Sequence, residues 1–231
     1  MHELASVGAA AAGGVLPALA WLWFWLREDS KHPEPRMLIA LAFIAGMICV
    51  AVAVPLEKFV QPYLASTSLV FTAWSIIEEV LKYIFAYATV LRLAEDDEPI
   101  DPVIYMVTVA LGFAAAENTL FLLSPIAGST FLQTLITGNL RFVGATLLHV
   151  ISSAAIGVCL GITFYKKKRV RRMAAIVGVI LACVLHASFN FFILSAPEDS
   201  LLRTFSFVWI GVIVLLAVLE YVKRIHPKLV K

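Results

Sequence analysis

Charge is scarce in this chain. Only 15% of its 231 residues are Asp, Glu, Lys or Arg, against about 25% in a soluble domain. Hydrophobic residues make up 61% and the mean hydropathy is +0.91, which excludes an ordinary soluble fold and defines an all-α polytopic membrane protein. Cysteine is also scarce. Cys49, Cys159 and Cys183 all lie in apolar runs without CxxC spacing, so neither a disulfide framework nor a thiolate-ligated metal is indicated. The chain has no HExxH, so any metal site has to be assembled from distant segments. It also lacks a nucleophile elbow, although Ser152, Ser153 and Ser188 lie near histidines. The first apolar run is preceded by Met1-His2-Glu3, without Lys or Arg, and is too long for a signal-peptide core; it is expected to be a retained helix.

What is abundant is apolar runs of bilayer length. A window of about 20 residues gives seven spans: 4–26, 37–56, 69–93, 102–123, 142–164, 173–194 and 202–222. Short connections make residues 1–231 a single transmembrane domain with no soluble domain. Within the longest connection, Phe131–Ile136 is semi-apolar and suited to the membrane interface. Fourteen of the 18 Lys and Arg residues fall on one side, the other carries only Lys58, Arg141 and Arg203, and Lys82 lies within a span. The positive-inside rule then puts the N-terminus outside and the C-terminus in the cytoplasm of a cell (inner or plasma) membrane. The cluster at Lys166, Lys167, Lys168 and Arg169 fits anionic lipid headgroups better than nucleic acid. Trp21, Trp23 and Trp25 read as an interfacial belt.

Against this background, the ionisable residues inside the spans stand out, since they cost several kcal/mol unless partnered and mark function by default. Ser75-Ile76-Ile77-Glu78-Glu79-Val80-Leu81-Lys82 places two carboxylates and an ammonium in the third span. At about 1.5 Å rise per residue, Glu78, Glu117, His149 and His186 lie about 13, 9, 10 and 12 Å below the outer face. Four spans thus place four ionisable groups at one level. His186 and Asn190 share a helix face, as do Phe113 and Glu117, and Glu78 and Lys82. Glu78 and Glu79 lie about 100° apart around the axis, so only one is expected to face a common pocket. Glu78 lies on the Lys82 side, which favours Glu79 as a water-activating base.

Two chemistries suit such a pocket. A glutamate can activate water while a His or Asn donor stabilises the oxyanion of a peptide bond. Alternatively Glu117, His149 and His186 bind zinc, with Glu78 or Glu79 as base. Proton or ion transport uses similar residues, but no inverted repeat or paired broken helices are visible.

The residues Glu78-Glu79-x-x-Lys82, Phe113-Ala114-Ala115-Ala116-Glu117-Asn118, His149 following Arg141, and His186-x-x-x-Asn190 resemble the PrsW family of bacterial intramembrane proteases. These are distant relatives of the CAAX prenyl endopeptidases. Asp29-x-x-x-x-Glu34-Pro35 also resembles a family feature, though at the cytoplasmic end it reads as a structural turn with local ion pairing. The resemblance implies site-1 cleavage of membrane-anchored anti-sigma factors, single-span substrates cut near the extracytoplasmic side during envelope stress. Where the CAAX enzymes typically have His, this chain has Glu117, which leaves a zinc ion's third ligand as a carboxylate. A non-catalytic scaffold is the competing reading, because the scaffold subunit of gamma-secretase is a remote relative. On the protease reading, Glu78, Glu79, Glu117, His149, His186 and Asn190 are catalytic, and Lys82, Phe113, Asn118 and Arg141 support them.

Overall fold

The computed structural model describes residues 2–29, 32–123, 131–195 and 201–226, with side chains described for 7–29, 32–123, 144–192, 206 and 208–226. Among the described residues seven α-helices follow one another: α1 His2–Leu26, α2 Arg36–Val60, α3 Thr67–Thr89, α4 Asp101–Leu123, α5 Phe131–Ile162, α6 Lys168–Ser195 and α7 Leu201–Val222. No strand occurs among the described residues. Among the described residues five stretches are long and apolar enough to cross a bilayer: Val7–Asp29, Arg36–Tyr63, Asp101–Leu123, Gly144–Ile162 and Lys168–Phe192. The protein is therefore an all-α polytopic membrane protein. Helix α3 is not among the five because Glu78, Glu79 and Lys82 interrupt its apolar sequence.

The bundle is organised around α4. Every residue from Asp101 to Ala115 is buried, whichever side of the helix it occupies, because α1, α2 and α5 surround it. An all-round apolar sequence is what such a central helix needs. Where α2 crosses α4, glycines remove the side chains that would hold the backbones apart. A Cβ on Gly46 would lie 2.0 Å from the Val109 carbonyl oxygen, and one on Gly112 would lie 1.9 Å from that of Phe43. Small residues permit this approach in lipid, where packing rather than water exclusion drives helix association.

Helix α3 is built the other way. Ser66 caps its start by accepting from the Leu69 N–H at 3.3 Å. Its buried residues are Ser75, Glu78, Glu79, Lys82 and Ala86, spaced by three or four, so the polar stripe faces inward. Apolar Ile76 and Ile84 face outward, 46% and 50% exposed. A lipid solvent accounts for this inversion, since polar groups find partners only within the bundle.

Several sequence expectations change. Phe131–Ile136 forms the first turns of α5, which continues unbroken to Ile162. The third span ends as a helix at Thr89 rather than near Leu93, where turns lead to the acidic loop. Of the three tryptophans, only Trp23 fits a belt: it is 64% exposed, with the Arg27 guanidinium 5.0 Å above its ring. Trp25 is a core residue, and Trp21 packs against Phe24 and Trp209.

Candidate active site

Lys82 is the centre of the polar cluster and has no exposed side-chain area. Its ammonium donates to Glu79 Oε1 at 2.8 Å, to His149 Nδ1 at 2.8 Å and, more distantly, to Glu78 Oε2 at 3.4 Å. It also lies 4.1 Å above the Phe113 ring, whose edge meets the His149 ring at a centroid distance of 5.2 Å. Phe113 is thus an apolar support that a cation favours, through the negative face of its ring.

Glu79 is saturated. Besides Lys82, its Oε1 accepts from His186 Nδ1 at 2.9 Å, and its Oε2 accepts from the Ser153 hydroxyl at 2.7 Å. His149 donates through Nε2 to Glu117 Oε2 at 2.7 Å. These partners assign the tautomers, because a ring nitrogen facing a carboxylate carries the proton. The lone pair of His186 Nε2 faces Glu78 Oε2 at 3.8 Å, while His149 Nδ1, which accepts from Lys82, lies 3.7 Å from the same oxygen.

The two adjacent glutamates are therefore not divided as their helical offset suggested. Both reach His186, one at each ring nitrogen, since an imidazole presents its nitrogens on different edges. Glu79 holds the ring, while Glu78 faces its free lone pair. The donor atoms that converge are those of Glu78, His149 and His186, all within 4.8 Å of one another. Glu117 stands outside that set, half-exposed and bonded to His149.

This donor set fits zinc. Two imidazoles and one carboxylate are a known zinc complement, and each imidazole donates its other N–H to a carboxylate, as metal-binding histidines do. One ammonium against three carboxylates also leaves two negative charges that a divalent cation would offset. Lys82 competes, however, because His149 Nδ1 cannot accept its proton and bind a metal at once.

Other expected residues lie around this centre. Asn190 donates to the Ser75 hydroxyl at 3.1 Å, and Asn118 donates to Thr146 at 3.1 Å. The side chain of Arg141 lies outside the described residues. Ser75, Thr146 and Ser153 had no expected place in the cluster. The i,i+4 pairs Ser75–Glu79 and His149–Ser153 were the signal available for two of them. At the other end of the bundle, oxygens of Asp29, Glu34 and Asp101 form a second group within 4.8 Å. Local ion pairing was expected of the first two. Instead Glu34 accepts from the Tyr105 hydroxyl, Asp29 accepts from the Glu34 N–H, and Asp101 accepts from the N–H groups of Asp97 and Glu98.

A membrane-spanning bundle whose buried carboxylate and imidazole atoms converge within 4.8 Å fits a multi-pass membrane hydrolase. Comparison with known proteins gives the same class. The model of the PrsW family, described as intramembrane metalloproteases, matches residues 34–219. The chain belongs to this family and is an intramembrane peptidase. Protease PrsW of Geobacillus kaustophilus is 29% identical over 194 residues, covering 80% of this chain and 79% of the relative. Protease PrsW of Oceanobacillus iheyensis is 26% identical over 207 residues, 88% and 92% of the two chains. That of Bacillus subtilis is 23% identical over 183 residues, 78% and 80%. No solved structure matches.

Proposed function

We propose that the peptidase acts at the point where Glu78 Oε2, His149 Nδ1 and His186 Nε2 face one another, and this convergence is the observation that carries the reading. Glu78 is the general base at the reacting centre. Its contacts, at 3.4–3.8 Å, leave its lone pairs free for water, whereas three donors already occupy Glu79. Water held there gives a proton to Glu78 while its oxygen bonds to the scissile carbonyl carbon. The C–N bond then breaks, and the same proton passes to the departing amine. Lys82 and Glu79 are positioning residues that fix His149 and His186. Asn190 and Ser75, bonded to each other at 3.1 Å, supply further polar groups on α6 and α3.

Zinc would be held by the same three residues, Glu78, His149 and His186. When bound, it supplies Lewis-acid chemistry, lowering the pKa of water and polarising the carbonyl. Glu117 would then be the carboxylate left free to take the proton.

In this reading the substrate is a single-span membrane protein such as an anti-sigma factor, cut near the extracytoplasmic side of the bacterial plasma membrane. The expected depth of the cluster and the basic-residue asymmetry support that side. Reporter cleavage in vesicles tests the reading. Glu78→Gln should lower it at least about 100-fold, the lower range for a lost general base, with the apparent Tm retained. Full cleavage by both Glu78→Gln and Glu117→Gln would refute it. Regulation of the partner without any cleavage would favour a scaffold, and proton flux lost in Glu117→Gln would favour transport. Chelation that abolishes cleavage, reversed by zinc, assigns the metal-dependent route; activity indifferent to chelators in metal-free protein assigns Glu78 and water alone. A reporter fused after Lys231 that proves extracytoplasmic would reverse the topology.

A further inference from the structure

At the basic end of the bundle, the last turns of α3 and α5 and the start of α6 enclose an open cavity of about 380 Å³. Four cations line it, Arg92 from the turn after α3 and Lys168, Arg171 and Arg172 from the first turns of α6, together with the hydroxyl-bearing rings of Tyr83 and Tyr87. Its one acid is Asp96, which is already engaged: Arg171 donates to its carboxylate at 3.3 Å. Burial raises the Asp96 carboxyl to about 7, so its own opposition to an anion is weakened further below that pH. The guanidinium of Arg171 also stacks 4.7 Å over the Phe164 ring, which fixes its planar fork. The N-terminus of the 28-residue helix α6 adds positive potential at the same place.

We propose that this cavity binds the headgroup of an anionic phospholipid. A phosphate diester meets the cations, and Leu160 and Ala175 give the cavity an apolar floor. The acyl chains continue along α6, where Ile176 and Ile180 follow Arg172 at four-residue spacing and are 54% and 57% exposed. That apolar track, running on from the cations, is what a lipid uses and free phosphate does not. The cavity is narrower than the surface cluster expected from sequence: of Lys166, Lys167, Lys168 and Arg169, only Lys168 lines it, and Arg92, Arg171 and Arg172 join from elsewhere. Basic pockets between spanning helices are suited to such headgroups. From Ala175 to His186 the rise along α6 is about 16 Å, so the lipid site stands apart from the peptidase centre and does not rest on its chemistry.

Native mass spectrometry of the full chain, released from nanodiscs of mixed phosphatidylglycerol and phosphatidylcholine, tests this. Retention of phosphatidylglycerol over phosphatidylcholine is expected. Arg92→Ala/Arg172→Ala, both exposed positions, should weaken it about 30-fold, at the roughly fivefold that each near-surface cation contributes. Lys166→Ala/Lys167→Ala, two exposed cations that do not line the cavity, should weaken it clearly less than the Arg92/Arg172 pair. Equal retention of both lipids, equal losses in the two double variants, or displacement by inorganic phosphate alone would overturn the proposal. A matched apparent Tm for both variants excludes misfolding as the cause.

Discussion

Replacing Lys82 by Met tests the electrostatic frame of the site most directly. The ammonium is fully buried, lies 2.8 Å from Glu79 and His149 and 3.4 Å from Glu78, and is the one lysine or arginine in the cluster among the described residues. Met fills a similar volume but leaves the carboxylates uncompensated in a medium that screens poorly. Removing one partner of a buried ion pair costs about 3–5 kcal/mol. For a chain of this size, each kcal/mol lowers the Tm by about 2–4 °C, so a fall of about 6–20 °C is expected. Thermal unfolding in detergent, followed by tryptophan fluorescence, measures it. Adding Glu79→Gln should restore at least half of that loss, because the stranded charge goes with it. Reporter cleavage stays lost in the double variant, since His186 no longer faces a full carboxylate. An apparent Tm for Lys82→Met within about 1 °C of wild type would refute the buried-pair argument.

Ser153→Ala should destabilise by about 1–3 kcal/mol by stranding Glu79 Oε2. Ser152→Ala, which removes a fully buried hydroxyl with no partner among the described residues, should be neutral or stabilising; equal losses in denaturant titrations of the two would refute the assignment. Gly46→Val forces α2 and α4 apart, since even a Cβ would lie 2.0 Å from the Val109 oxygen. It should cost at least about 1–3 kcal/mol, read as a lower Tm, whereas Gly8→Ala, with open space around it, should cost little. The Asp96 carboxyl is raised from 3.8 to about 7 by burial, so the folded state holds its proton more tightly than the unfolded chain does. Its contribution therefore favours folding most at low pH and declines as pH rises from about 4 to 7. Asp96→Asn should flatten that slope in Tm measured against pH, and an unchanged slope would refute the argument.

Much of the site was legible because lipid makes polar residues expensive. Glu78, Glu117, His149 and His186 were visible as anomalies in apolar runs, and counting residues from each span end put them at one level. Which nitrogen meets which oxygen was not legible. The helical offset of Glu78 and Glu79 is a local fact, but the outcome depends on the orientation of a ring carried by α6. Ser153 was noted only for lying near a histidine, because a serine in a membrane helix has no assignable partner until a carboxylate from another helix lies 2.7 Å away.

By itself the sequence determined the membrane class, the helical architecture, the family and the set of buried ionisable groups, because each follows from hydropathy or from short motifs on single helices. Only the tertiary structure decided that α4 is the central helix, that Glu79 accepts three hydrogen bonds while Glu78 has only long contacts to the two imidazoles, and that Arg92 joins α6 around one cavity. Those results depend on crossing angles and side-chain directions set by close packing between helices distant in sequence, such as the contact of Gly46 with Val109, which no local pattern encodes.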